Sequence, residues 1–201
     1  DQNLVVSVID KTRSGNQPGG KQCGALNSYG CLYTRTTGIW QTVWMEPVDP
    51  NGLSGVTIVP DLDNNQFHFS PHFYGVTRGE TFRVKVLDGE KVVAQQEVAA
   101  GDNLVNSLTI KKPKTWGPGS PFLYDVRFQV IDAKGVVVDE INSYAGMRKV
   151  HIEGNKLYLN NKPIYLRFVL DQGFYPDGIW TAPTDAALKR DIQLSMAAGF
   201  N

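Results

Sequence analysis

TFRVKVLDGEKVVAQQEV, residues 81–98, reads as two strands and the turn that joins them. Phe82, Val84 and Val86 alternate with Arg83 and Lys85, so one face of the first strand is apolar and the other wet. Asp88-Gly89 is a strong hairpin signal, because glycine reaches the positive φ that a two-residue turn requires. The same period of two returns at 122–131, where Tyr124, Val126, Phe128 and Val130 point inward and Asp125, Arg127 and Gln129 point to water. Ala133-Lys134-Gly135 marks the next turn. Working outward, further strands are expected at 55–60, 66–74, 105–110 and 136–144. Short antiparallel strands at regular spacing through 50–145 predict an immunoglobulin-like β-sandwich, although the antibody-type Cys…Trp…Cys spacing is absent.

The 201 residues carry 20 basic and 20 acidic side chains, a net charge of zero. That balance argues against nucleic acid or an anionic membrane as the main partner, since both reward clustered positive charge. No apolar run approaches the ~18 residues of a membrane span, and no signal peptide is visible. Cys23 and Cys31 admit two readings, a pair of free, partly buried thiols or a disulfide. Neither forms a CxxC, and His68, His72 and His151 lie far away in sequence, so no metal site is expected. His68 and His72 have the i, i+4 spacing of a helical metal pair, but the phenylalanines around them and Pro71 between them argue for a strand. No cofactor motif is present: there is no GxGxxG, P-loop or GxSxG.

The flanks do not read as complete units. Residues 1–49 suggest a strand at 4–9, a loop through 11–30 that holds six glycines or prolines, and a strand at 40–45. Two strands alone cannot bury a core. Residues 146–201 suggest strands at 156–159 and 163–167 around a tight Asn160-Asn161-Lys162 turn. An aromatic, glycine-rich loop follows at 171–180. A helix comes next, with Thr184 as N-cap, Asp185 in its first turn and Gly199 at its end. Leu188, Ile192 and Met196 fall on one face of it. Phe200-Asn201 looks like the start of another strand.

The runs GMRKV, LYLNNKPIYLR, YPDG and RDIQLSMAAGFN together resemble the entry into the catalytic barrel of the family 2 glycoside hydrolases, the β-galactosidases, β-glucuronidases and β-mannosidases. WGPGSPFLY resembles the run that leads into a core strand of that family's immunoglobulin-like domain. LVVSVID, PGGKQ and YTRTTGIWQTVWMEPV resemble the end of its sugar-binding jelly roll. The resemblance implies a mainly β chain in three parts: the end of a jelly roll at 1–49, the sandwich at 50–145, and the first βα unit of a truncated TIM barrel at 146–201. It also implies a parent enzyme that hydrolyses terminal β-linked sugars with retention, so the expected partner is carbohydrate. Periplasmic or secreted placement is a guess from that substrate class. A non-catalytic immunoglobulin-like module that binds carbohydrate or protein is the alternative.

Retaining hydrolysis needs two carboxylates about 5–5.5 Å apart, and barrel enzymes place them at strand ends. Glu46, Glu80, Glu90, Glu97, Glu140 and Glu153 all precede the barrel-like stretch. By resemblance the catalytic pair lies past Asn201, so no residue here is assigned a catalytic role and the chain is expected to be inactive. The loop at 171–180 follows the barrel-like strand, and its carboxylate and aromatic rings suit a sugar's hydroxyls and flat apolar face. Asp171, Tyr175 and Trp180 are the candidate substrate-binding residues. Better-known β-galactosidases and β-glucuronidases carry a His-containing run where this chain has Asp171-Gln172. Trp116 and Tyr124 read as packing residues, with Trp116 as a sugar platform the alternative. The strands and apolar stripe at the two ends, without partners in the sequence, predict self-association of the chain.

Overall fold

The structure is a computed structural model that describes residues 3–14, 16–75, 79–101 and 103–201. The chain is mainly β and divides into two compact units, Glu46–Tyr165 and the pairing of Asp1–Met45 with Leu166–Asn201.

The unit Glu46–Tyr165 contains all seven strands expected in the sandwich, with no end shifted by more than two residues. Strands β1 (Leu53–Asp61), β2 (Gln66–Phe73) and β5 (Asn106–Thr109) form one sheet in the order β1-β2-β5. Strands β3 (Thr81–Asp88), β4 (Lys91–Ala99), β8 (Tyr124–Ile131) and β9 (Val137–Ala145) form the other, in the order β4-β3-β8-β9. Short strands β6 (Trp116–Gly117) and β7 (Ser120–Pro121) pair in the connection between β5 and β8. Every ladder is antiparallel.

The alternation in the sequence decides which face of each strand is covered. Phe82, Val84, Val86, Tyr124, Val126, Phe128 and Val130 are buried, together with Phe67 and Phe69 from the facing sheet. Rings meet across the sandwich edge to face: Phe69 with Phe128 at 5.6 Å, and Phe67 with Tyr124 at 5.9 Å. The buried Tyr124 hydroxyl accepts the Lys114 N–H at 2.7 Å. Turn chemistry sets the registers. Asp88 pairs with Lys91 across a two-residue loop, with Gly89 at φ +61°, where a II′ turn calls for glycine. His68 and His72 lie on β2, as their neighbours suggested. His68 meets Ser107 Oγ at 2.7 Å and His72 meets Thr57 Oγ1 at 3.0 Å. Pro71 is tolerated because β5 pairs with β2 only as far as Phe69, so no ladder bond to it is lost on that side.

Gln129 departs from the expectation that it faces water. It lies on the outer face yet is 8% exposed. The cause is a row of polar side chains in register across all four strands. Arg83 pairs with Glu97 at 2.5 Å and donates to Gln129 Oε1 at 2.9 Å, and Gln129 Nε2 donates to Glu140 at 2.5 Å. The long side chains lie over one another and shield the amide between them.

The Gly146-Met147-Arg148-Lys149 run fastens the next segment to the sandwich. A Cβ at Gly146 would stand 3.3 Å from Trp116 Cβ and 3.3 Å from Leu123. Met147 is fully buried, and its carbonyl accepts the Trp116 N–H at 2.9 Å. The Arg148 guanidinium covers the Trp116 ring at 5.0 Å. Trp116 is therefore a packing residue. A small sheet follows, β10 (Val150–Glu153), β11 (Lys156–Leu159) and β12 (Lys162–Pro163). Asn160 and Asn161 take φ +52° and +62° between the paired Leu159 and Lys162, the left-handed pair that a I′ turn requires. Strand β10 was not expected. Asp63 holds this sheet to the β1–β2 turn by accepting from Lys149 at 2.5 Å and Asn161 at 3.0 Å.

The other unit corrects several expectations. Residues 4–9 and 40–45 are not strands. Leu4 is 87% exposed and Met45 96%, and no strand among the described residues offers these segments a ladder. High β-propensity alone does not make a strand without a partner edge. Residues 164–167 likewise lie outside any ladder, as does Phe200-Asn201. What remains of the expected βα unit is a reciprocal contact: Arg167 N–H donates to Asn201 Oδ1 at 2.8 Å, and Asn201 N–H donates to the Arg167 carbonyl at 3.2 Å. The helix α1 (Asp185–Ala197) forms as its signals predict. Thr184 Oγ1 accepts the Ala187 N–H at 3.2 Å. At the far end, Gly199 at φ +91° donates to Met196 O while Phe200 donates to Ser195 O, the two bonds of a Schellman motif. Cys23 and Cys31 are free thiols. Cys23 is buried, with Sγ 3.0 Å from the Ala25 carbonyl and 3.1 Å from that of Asn27, whereas Cys31 is exposed.

Three outcomes follow from this packing. Glu46–Tyr165 expressed alone melts cooperatively with a β-type circular dichroism spectrum; a non-cooperative melt would show that it needs its flanks. Phe128→Ala removes the ring that meets both Phe69 and Phe82 and lowers unfolding free energy in urea by about 3–5 kcal/mol. Hydrogen bonds from Lys149, then Asn161, hold the Asp63 carboxyl below its ordinary 3.8. A depressed carboxylate stabilises the fold above its unfolded value and loses that effect as pH falls through the folded one. Acid below about pH 4 therefore loosens the small sheet in the native chain and has less effect on Asp63→Asn, as read by amide exchange at 150–163.

Candidate functional site

In the unit of Asp1–Met45 with Leu166–Asn201, a cleft of about 860 Å³ opens between the 8–10, 19–22 and 36–40 segments on one side and the 172–181 loop on the other. Its walls carry Trp40, Trp180, Asp10, Lys21, Gln22 and Gln172. The 19–37 segment is not shapeless. Cys23 N–H donates to the Tyr33 carbonyl at 2.8 Å, and Tyr33 N–H donates to the Lys21 carbonyl at 2.8 Å. This pairing fixes Lys21 and Gln22 beside the cleft and turns the Tyr33 ring toward the 172–181 loop. Tyr33 stacks on Phe174 at 5.0 Å and meets Trp180 edge-on at 4.9 Å. Lys21 Nζ donates to Gln172 Oε1 at 2.5 Å. Asp10 accepts from Gln17, and from Gln22 Nε2 and Thr37 Oγ1 at 3.4 Å each.

The three sequence-predicted residues take different places. Trp180 lines the cleft. Asp171 does not; it is exposed, and its Oδ1 accepts the Gly173 N–H at 2.8 Å in a local turn. Its neighbour Gln172 lines the cleft instead. Tyr175 also stands off the cleft wall, and its hydroxyl donates to Asp191 Oδ2 on α1 at 2.7 Å. Tyr175 and Ile179 exchange backbone bonds at 2.8 and 2.9 Å, closing a tight loop just before Trp180. Asp10, Lys21, Gln22 and Trp40 carried no signal as site residues, because only folding brings the N-terminal segments to a loop more than a hundred residues away. Among the described residues no group of three or more His, Cys, Asp or Glu could hold a metal ion.

The helix face turned inward is the polar one. Ala187, Asp191 and Ser195 are partly covered, while Leu188, Ile192 and Met196 are exposed. Chemically the cleft offers two flat indoles, a carboxylate, an ammonium and side-chain amides, a set that can cover an apolar ring face and exchange hydrogen bonds with hydroxyls.

Tyr175 gives this site a titration signature. Its hydrogen bond to Asp191, then partial burial, then the charges of Asp191 and Asp171, push the phenol from 10.0 up to about 12. A raised value means the protonated link persists below pH 10 and is lost as pH rises through about 12. The difference in phenolate absorbance between the chain and Tyr175→Phe is expected to develop only near pH 12; a difference centred at 10 would contradict the link.

Residues 53–148 match the family described as Glycosyl hydrolases family 2. The β-galactosidase of Photobacterium profundum is 26% identical over 183 residues, which are 82% of this chain and 17% of that protein. A putative β-glucuronidase of Formosa agariphila is 28% identical over 156 residues, 73% of this chain and 15% of that protein. Among solved structures, the β-glucuronidase from Ruminococcus gnavus in complex with D-glucuronic acid has a TM-score of 0.65 at 23% identity, over 75% of this chain and 25% of that one. That likeness concerns the fold. The chain spans about 17% of the length of the β-galactosidases it matches. Among the described residues no helix is long and apolar enough to cross a membrane. Across the sandwich, residues 53–148 are thus similar to family 2 of the glycosyl hydrolases, and β-galactosidases are among the relatives of the chain.

Proposed function

We propose that this chain supplies the sandwich and part of the sugar-binding wall of a retaining glycoside hydrolase acting on terminal β-linked sugars. One observation carries the reading: Trp40 and Trp180 line a single cleft with Asp10, Lys21, Gln22 and Gln172. An indole covers the apolar face of a pyranose, and carboxylate and amide groups accept and donate to its hydroxyls. Relatives named as β-galactosidases, together with a putative β-glucuronidase, support the substrate class.

In this reading the chain binds and orients sugar; bond cleavage belongs to residues it does not contain. Retention needs an acid/base and a nucleophile about 5–5.5 Å apart. The only carboxylate lining the cleft among the described residues is Asp10. All six glutamates lie in the Glu46–Tyr165 unit, and two of them, Glu97 and Glu140, are tied into the outer-face polar row. The 201-residue chain is therefore expected to release no nitrophenol from aryl β-glycosides, and turnover that tracks with the purified protein would overturn this. Methyl β-galactoside or methyl β-glucuronide titrated into the chain is expected to shift indole resonances. Trp180→Ala is expected to weaken that binding about tenfold, equivalent to ~1.4 kcal/mol. Absence of any shift in the native chain would remove the sugar-binding reading.

A further inference from the structure

We infer that Asp191 is a positioning residue for the cleft: through Tyr175 it holds the loop that presents Trp180. Its functional meaning rests on the sugar-binding reading, though its geometry does not. Asp191 sits mid-helix on α1 and does not line the cleft. Its Oδ2 accepts the Tyr175 hydroxyl proton at 2.7 Å. Tyr175 in turn closes the loop through its two backbone bonds with Ile179, and Thr181 N–H donates to the Gly178 carbonyl at 2.9 Å. Trp180 is held between these two closures, with its ring edge on Tyr33. The turn is tight: a Cβ at Gly178 would stand 1.9 Å from the Thr181 carbonyl oxygen, so this backbone path admits only glycine there.

The helix supports the same conclusion from its own side. A helix of this length with an apolar stripe ordinarily turns that stripe inward. Here Leu188, Ile192 and Met196 are more than half or about half exposed, and the partly covered face is the one that carries Asp191. A specific hydrogen bond, rather than apolar burial, therefore sets the rotation of α1 against the loop. Asp171 and Asp191 are the acidic groups that act on the phenol. Asp171 is spent on the Gly173 N–H, so Asp191 is the acceptor.

The test uses the full 201-residue chain labelled with fluorotryptophan, whose fluorine spectrum has one resonance for each of its four indoles. Trp180→Phe identifies the Trp180 signal by its loss. Tyr175→Phe removes the donor with little change in shape, and Asp191→Ala removes the acceptor. Each is expected to move the Trp180 resonance toward the position of a solvent-exposed indole, while the Trp116 resonance and the melt of the sandwich stay in place. Asp191→Asn keeps an acceptor oxygen and is expected to restore the native position. Methyl β-galactoside binding, where the native chain shows it, is expected to weaken about tenfold in Tyr175→Phe and to recover in Asp191→Asn. An unmoved Trp180 resonance in Tyr175→Phe overturns the inference, whatever Asp191→Ala does to the helix. If Asp191→Asn matches Asp191→Ala, the helix charge and not the hydrogen bond is responsible, which also overturns it. If the resonance moves and is rescued but no variant, Trp180→Ala included, alters sugar binding, the positioning stands and the sugar-binding reading fails.

Discussion

Phe128 is the residue on which the sandwich depends. It lies on β8, a central strand of the four-stranded sheet, stacks on Phe82 of the neighbouring strand at 5.8 Å, and meets Phe69 of the opposite sheet at 5.6 Å. One ring thus joins in-sheet packing to between-sheet packing. Two antiparallel sheets have no covalent tie here, since the cysteines are free and lie outside the sandwich. Their association rests on buried aromatic and aliphatic area, each large side chain contributing roughly 1.5–3 kcal/mol.

The outer face of the same sheet solves a different problem. Solvent-facing strands need side chains that are soluble yet ordered, and the Glu97–Arg83–Gln129–Glu140 row supplies both. Because each donor faces an acceptor on the neighbouring strand, each cross-strand pair is favourable, and a strand slipped by one residue would lose the whole row. The Gly146-Met147 run extends this logic. Glycine lets the backbone approach Trp116, and the next side chain fills the core, so the segment after β9 is committed to the sandwich before the small sheet begins.

The second unit is organised by polar contacts and rings. Tyr33 is its centre, touching both Phe174 and Trp180. The hydrogen bond between Tyr175 and Asp191 orders the loop from the helix side, leaving the apolar stripe of α1 exposed. That arrangement follows from geometry: a phenol reaching a carboxylate at 2.7 Å is a directional, charge-assisted bond, whereas Leu188, Ile192 and Met196 of the stripe stay exposed.

The sequence alone determined what depends on neighbours within a few positions. Period-two alternation located the sandwich strands, Gly89 marked one of their turns and the Asn160-Asn161 pair a turn of the small sheet, and Thr184 and Gly199 bounded the helix, because each of these signals is local backbone or rotamer physics. The tertiary structure decided what depends on distant partners. Residues 4–9 and 40–45 have the composition of strands but pair with no strand among the described residues, and Gln129 has the position of a wet residue but is covered by Arg83 and Glu140. The cleft is the clearest case. Trp180 could be read as a ring in a suitable loop, but Asp10, Lys21 and Gln22 become its companions only when chain segments separated by more than a hundred residues meet. Local pattern carries no information about such a meeting.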